Sequence, residues 1–303
     1  MYTAELFTII EKHGINGHSY ADDTKIYHSV PVCQAQVAVE RISRALEDIH
    51  IWMDSSRLKL NAEKTQFIWI GSSRQIAKVQ VIEIPISGVN VPLSTTVKDL
   101  GMKIDSSLSM SDHIDSLCRS CLFQLRQIRV LKRCLPQESV HILVKAFVSS
   151  RLDYCNSLFY GIGHGLLDKL QRIQNAAARL VSGKRKYDHI TPVLRDLHWL
   201  PIRQRIEYKL SSFVHKSLHC QAPMYLSDAC IRVSSIEGRQ NLRSADAGEL
   251  LIPRVRTKMG SRAFKTSGPS VWNNLPVNLR DSSLSLPSFQ KRLKTVLFDR
   301  AFN

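Results

Sequence analysis

The chain has no long apolar run. Its most hydrophobic stretch, "HILVKAFV", is already broken by Lys145, so no segment reaches the length of a membrane span. No basic stretch opens the sequence either. "MYTAELFTIIEKHG" carries Glu5 and Glu11 where a secretory signal would carry lysine or arginine, so no signal peptide is expected. There is no internal repeat, which excludes a solenoid or propeller. Disulfide-framework spacing is missing as well: the seven cysteines are an odd number at scattered positions. That pattern is expected of free thiols in a reducing, intracellular compartment, nucleus or cytoplasm.

Acidic residues are scarce: 26 Asp and Glu stand against 42 Lys and Arg, a net charge of +16. The deficit is uneven. Residues 1–110 hold 11 basic and 12 acidic side chains, residues 111–200 hold 14 and 7, and residues 201–303 hold 17 and 7. A cationic excess confined to the last two-thirds suits a polyanionic partner, nucleic acid first, with a solubilising surface as the alternative. With 44% hydrophobic and 22% charged residues, the 303-residue chain is long enough for one large or several ordinary globular domains.

What is present divides by periodicity. "GHSYADDTKIY", Gly17 to Tyr27, has two short β-prone arms around Ala21-Asp22-Asp23 and reads as a hairpin turning at the acids. Val39, Ile42, Leu46, Ile49 and Met53 recur at helical spacing. "KTQFIWIG" reads as a strand, "VQVIEIPISGVNVPL" as a hairpin turning at Ser87-Gly88, and "TVKDLGMKI" as one more strand.

From Ser111 the pattern is helical. Ile114, Cys118, Cys121, Leu125 and Ile128 line one face of a helix, with Arg119, Arg126, Arg129 and Arg133 on the other. Helices follow over about Gln137–Phe159, over Leu166–Ser182 with Gly183 as its cap, and along Ile206–Leu218. "GKRKYDHITP" reads as a linker, Ser234–Ser285 shows little periodicity, and "SFQKRLKTVLF" closes the chain as a short helix.

Two adjacent aspartates in a turn have an ordinary explanation, because aspartate forms turns. They also suit magnesium, which takes one or two carboxylates, several waters and substrate phosphates. Adjacent strand residues point to opposite faces, so both acids can serve one ion only near a bend. Other groups compete. Cys118-Arg-Ser-Cys121 has zinc-knuckle spacing, with Cys134 and His141 as further ligands, but its cysteines fall on an apolar stripe where core thiols are common. His215 and His219 stand one helical turn apart, without a metalloprotease glutamate, and read as satisfied surface histidines. Arg254, Arg256 and Lys258 in "PRVRTK" share one side of an extended segment that suits phosphate. Trp199 and Trp272 read as packing anchors.

The order of these segments carries a resemblance. "YADD" between hydrophobic arms, then Trp52, "LKLNAEKTQFIWIG" and "VKDLG", resembles the catalytic hairpin and following segments of non-LTR (LINE-type, jockey-like) retrotransposon reverse transcriptases. "SSRLDYCNSLFYG", "KLQRIQNAAARLV", "TPVLRDLHWLPIRQRIEYKL", "GSRAFKTSGPSVWNNLP" and "SFQKRLKTVLF" look like the C-terminal region of the same proteins, so the resemblance runs through the chain.

It implies an α+β fold. A partial polymerase palm would occupy 1–108, a helical thumb 109–185 and a basic, mainly helical domain 186–303. The parent activity would be RNA-directed DNA synthesis with Mg2+, an RNA template, a DNA primer and nucleoside triphosphates, without a membrane or a small-molecule cofactor. Asp22 and Asp23 would bind metal, and Tyr20 would line the site. Lys64 is a proton-donor candidate for departing pyrophosphate, or else a solvated lysine. Leu100 and Gly101 would sit in a primer-gripping hairpin, and the Arg119–Arg133 stripe would track phosphates or else be a solvated face. Such enzymes take a third carboxylate from an earlier strand, and the nineteen residues before Tyr20 contain no aspartate. The chain is therefore expected to be a truncated enzyme, inactive by itself; the alternative is a non-catalytic nucleic-acid-binding remnant.

Overall fold

The computed structural model describes residues 4–86 and 88–303, which gather into two compact units, 1–112 and 113–303. The first mixes helices with hairpins. It opens with helix α1 (Ala4–Lys12), strands β1 (Asn16–Tyr20) and β2 (Asp23–Tyr27), and helix α2 (Ala35–Ser55). Two further hairpins follow, β3 (Glu83–Ile86) with β4 (Val89–Pro92), and β5 (Thr96–Asp99) with β6 (Met102–Asp105). Each pair is antiparallel and forms its own two-stranded sheet; the described strands do not join into one.

Helix α2 holds this unit together because its apolar residues cover more than one face. Ala45 and Ile49 pack with Leu6, Ile10 and Ile15 beside the first hairpin, while Val39 packs with Ile84, Ile86 and Val91 of the second. Ile42 touches both clusters. Polar ties close the same seam: Trp52 Nε1 donates to Glu5 Oε2 at 2.8 Å, and His13 Nε2 lies 2.9 Å from Asp48 Oδ2. Gly17 gives β1 a close approach to α1, since a Cβ there would stand 3.0 Å from Ile10 Cδ1.

Two strand expectations fail. "KTQFIWIG" contributes a single bridge, Phe67 with Leu93, and not a strand. "TVKDLGMKI" is two strands, β5 and β6, because the chain turns at Leu100 and Gly101, both with positive φ. Of the Ser87-Gly88 turn, Ser87 lies outside the described residues; Gly88 has φ +78°.

Helix α3 (Ser111–Leu131) leads into the second unit. It is followed by α4 (Gln137–Val144), a π-turn over Lys145–Ser149 and a helical turn at Ser150–Asp153, then α5 (His164–Ser182), α6 (Ile190–Asp196), α7 (Ile202–Leu218), α8 (Phe264–Asn273) and α9 (Leu286–Phe302). The long α7 is the hub, with Val214 packed among Trp272, Leu275, Phe289, Leu293 and Leu297. Gly268 lets α8 approach it closely; a Cβ there would meet Val214 Cγ2 at 3.1 Å.

The boundary expected near residue 185 is bridged instead. Gln174 Nε2 donates to Leu200 O at 2.8 Å, and Arg205 Nη1 forks onto both oxygens of Asp153 at 2.9 and 2.8 Å. The buried Gln174 amide needs such a partner and the Arg205–Asp153 fork adds a charge-assisted tie, so these bonds join 113–185 and 186–303 in one unit. The lower-periodicity region beyond Ser234 is a run of single turns and one bridge, Arg232 with Leu250, before α8.

Candidate functional site

The acidic turn is a two-residue loop. Tyr20 pairs with Asp23 across β1 and β2, leaving Ala21 and Asp22 at the tip. Ala21 sits at φ +55°, a left-handed conformation that costs a residue with a Cβ roughly 1–2 kcal/mol. Asp22 and Asp23 are exposed, and among the described residues neither carboxylate has a hydrogen-bond or ion-pair partner. Tyr20 is 67% exposed beside them. The donor set is therefore two unpaired carboxylates at one bend, which matches what magnesium takes from protein. Among the described residues no group of three or more His, Cys, Asp or Glu side chains is placed to hold a metal ion.

A second turn is tied to this one. Lys25 Nζ, two residues along β2 from Asp23, lies 2.6 Å from Asp99 Oδ1 on β5. Asp99 immediately precedes Leu100 and Gly101, whose φ values of +43° and +84° make the β5–β6 turn. The pair thus links the hairpin bearing Tyr20, Asp22 and Asp23 to the one bearing Leu100 and Gly101. Nothing in local sequence marks it, because a lysine and an aspartate so far apart in the chain have no shared periodicity.

Among the described residues, no side-chain bond brings Lys64 to the acidic turn. It stands exposed in the Asn61–Thr65 turn, where Asn61 Oδ1 accepts its backbone N–H at 3.1 Å. The following residues do dock on β5, with Lys98 N donating to Gln66 Oε1 at 3.0 Å.

In the second unit Arg119, Arg126 and Arg129 are exposed on α3. Arg133 is exposed in the single 3-10 turn Lys132–Cys134 that follows. Arg119 Nε donates to the Asp115 carbonyl at 3.3 Å, and among the described residues none of the four guanidiniums is paired with an acid. Arg254, Arg256 and Lys258 are also exposed. They do not share one extended run, because Thr257 caps a helical turn that begins at Lys258.

The competing metal sites resolve into packing. Cys121 is buried and its thiol is pushed up to about 11 by desolvation; Cys118 is raised for the same reason, with Asp115 adding to it. His215 is buried rather than on the surface. Its Nε2 lies 3.0 Å from Leu284 O, and its ring stacks on Phe289 at 4.4 Å. His219 Nε2 lies 3.0 Å from Ser282 O, so the two histidines clasp α7 to the segment before α9. Trp199 and Trp272 are buried.

The comparisons with known proteins agree with part of this picture. Over 207 residues, 64% of the chain, the sequence is 24% identical to the "Probable RNA-directed DNA polymerase from transposon BS" of Drosophila melanogaster. The matched stretch covers 21% of that protein, so the chain spans about a fifth of the curated relative it matches. No family model matches the chain, and no solved structure does. The likeness supports a relationship to reverse transcriptases. No helix among the described residues is long and apolar enough to cross a membrane.

Proposed function

We propose that the chain carries part of the machinery of a non-LTR, LINE-type reverse transcriptase: the acidic hairpin of a palm in the first unit, and a thumb-like helix with a basic C-terminal region in the second. The observation that carries this reading is the pair of carboxylates, Asp22 and Asp23, without partners among the described residues, at a hairpin turn tied through Lys25 and Asp99 to the Leu100-Gly101 turn. Bound magnesium would supply positive charge to the attacking and leaving oxygens of nucleotide transfer. Asp22 and Asp23 would hold it, the paired β1 and β2 arms would aim them, and exposed Tyr20 would border the nucleotide or primer end. The Leu100-Gly101 turn offers backbone at close range to a primer.

Two carboxylates from one turn are too few for a two-metal clamp, and no third acid joins them among the described residues. The 303-residue chain by itself is therefore expected to give no primer extension on an RNA template with Mg2+. It is expected to bind Mn2+, used as a magnesium stand-in, at the acidic turn. Manganese should broaden the NMR signals of residues 20–24, and Asp22→Asn with Asp23→Asn should remove the effect. Absence of broadening would overturn the metal role, and incorporation abolished by Asp22→Asn would overturn the incompleteness of the site.

A second reading, a nucleic-acid-binding protein without catalysis, is favoured by a different observation. Arg119, Arg126, Arg129 and Arg133 stand exposed, without an acidic partner among the described residues, in the last two-thirds of the chain, which holds the cationic excess. Its signature is binding that persists in the double asparagine variant.

A further inference from the structure

The fold brings a second basic segment to the end of the arginine stripe. Helix α5 ends at Gly183, whose φ of +72° turns the chain into Lys184-Arg185-Lys186-Tyr187. Lys132, between Arg129 and Arg133 at the end of α3, donates from Nζ to Leu180 O at 2.8 Å, and Gln137 Nε2 donates to Val181 O at 3.3 Å. A Cβ on Gly183 would lie 3.7 Å from that same Lys132 Nζ. The two cationic segments, remote in sequence, therefore meet at one end of α3 and α5.

The loop is built to display its side chains. Asp188 Oδ2 accepts the Arg185 backbone N–H at 2.7 Å, and the Asp188 carbonyl lies 3.3 Å from Arg179 Nη2. The loop's own acid is thus occupied with backbone, and among the described residues Lys184, Arg185 and Lys186 have no acidic partner. Tyr187 is 91% exposed, with the Lys186 ammonium 5.9 Å from its ring centroid. An aromatic ring left almost wholly in water amid unpaired cations is unusual on packing grounds, since burial of such a ring would be favourable.

We propose that this corner is a binding site for single-stranded nucleic acid, in which Arg133, Lys184, Arg185 and Lys186 contact successive phosphates and Tyr187 stacks on an unpaired base. Cations that follow a backbone, combined with an aromatic face open to a base, are the components of single-strand recognition. A duplex offers the same phosphates but keeps its base faces stacked internally, so Tyr187 separates the two. The proposal deepens the nucleic-acid-binding reading and does not depend on the acidic turn.

The test uses the full chain and labelled oligonucleotides of about 12 nucleotides, within the span of single-strand sites. Single-stranded RNA, single-stranded DNA and the corresponding duplex are titrated by anisotropy at several salt concentrations. Tyr187→Ala is expected to weaken single-strand binding by about fivefold or more. It should leave the salt slope and duplex affinity unchanged, while Tyr187→Phe restores single-strand binding. Changing Lys184, Arg185 and Lys186 to glutamine should lower the slope for single strands by about 0.7 per lost contact. The RNA and DNA arms tell whether the 2′-hydroxyl matters; equal affinity means that phosphates and base faces suffice. If Tyr187→Ala changes nothing, or weakens duplex binding as much, the stacking site is overturned while the arginine stripe stands. If the unaltered chain binds none of the three, both readings fall.

Discussion

At the scale of single residues, Ala21 holds a conformation, and Asp105 an environment, that its type does not favour alone. Ala21 occupies the left-handed region at the tip between β1 and β2. Glycine there should relieve roughly 1–2 kcal/mol of strain against roughly 0.5–1 of added unfolded-state entropy. Ala21→Gly is thus expected to stabilise the first unit by up to about 1 kcal/mol in urea titration. Any loss of Mn2+ affinity in that variant would show that the strained alanine holds the acids in place. Asp105 is buried at the end of β6 and accepts five bonds: from Ser107 N and Oγ, Ser109 N and Oγ, and Met110 N, between 2.6 and 3.2 Å. Burial pushes its carboxyl up, but the donors from Ser107, Ser109 and Met110 outweigh it, and the net result lies below the ordinary 3.8. A lowered folded value adds stability above the unfolded pKa that is lost as pH falls through the folded one. Asp105→Asn should therefore cost about 2 kcal/mol at pH 7, and the gap between variant and parent should narrow as pH falls through the lowered folded value. A gap that persists unchanged in acid would show that the carboxylate charge is not what the turn requires. The acids at 22 and 23 were legible because turn chemistry and strand alternation meet there. Lys25 with Asp99, and Asp105 with its serines, were not, because each pairing depends on where the chain folds back.

Among elements, α2, α3, α5 and α7 were legible from apolar periodicity, since each buries one stripe and exposes the rest. The β5–β6 turn, which the resemblance implied, escaped the strand pattern because leucine at its first position, φ +43°, gives no turn signal. "KTQFIWIG" has strand composition without a partner: Phe67 makes one bridge, and Phe67 and Trp69 instead pack against the β3–β4 cluster. Helix α8 was hidden by Gly268 and Pro269, residues that ordinarily end helices, though Gly268 here permits a close approach to α7. The α3 stripe carries its own prediction. Changing Arg119, Arg126, Arg129 and Arg133 to glutamine keeps good helix formers at exposed sites, so circular dichroism should not change. If the stripe contacts a duplex, log affinity against log salt should flatten by about 0.9 for each true phosphate contact. An unchanged slope in the folded variant would reduce the stripe to a solvated face.

For the molecule as a whole, the two units differ in how their backbone is secured, and stability should follow. In the first unit three separate two-stranded hairpins are described, the first two packed on α1 and α2 and the third tied in through Lys25–Asp99 and Gln66, and an isolated hairpin is marginal in water. Each leaves unpaired edges, and the two apolar clusters described in this unit contain five and four buried residues. The second unit buries eleven in one cluster around α7, including Trp272 and Phe289, and its helices satisfy their backbone internally. Local opening follows the amount of buried apolar contact, so amides of β1 to β6 should exchange with deuterium well before those of α5 and α7. Limited proteolysis should cut first within 56–82, where the described chain is mostly turns, and leave a resistant fragment close to 113–303. That fragment holds most of the positive charge, so the nucleic-acid binding should remain with it. Equal protection across both units, or binding that leaves with the first, would mean that the small hairpins are secured by contacts stronger than their own cores supply.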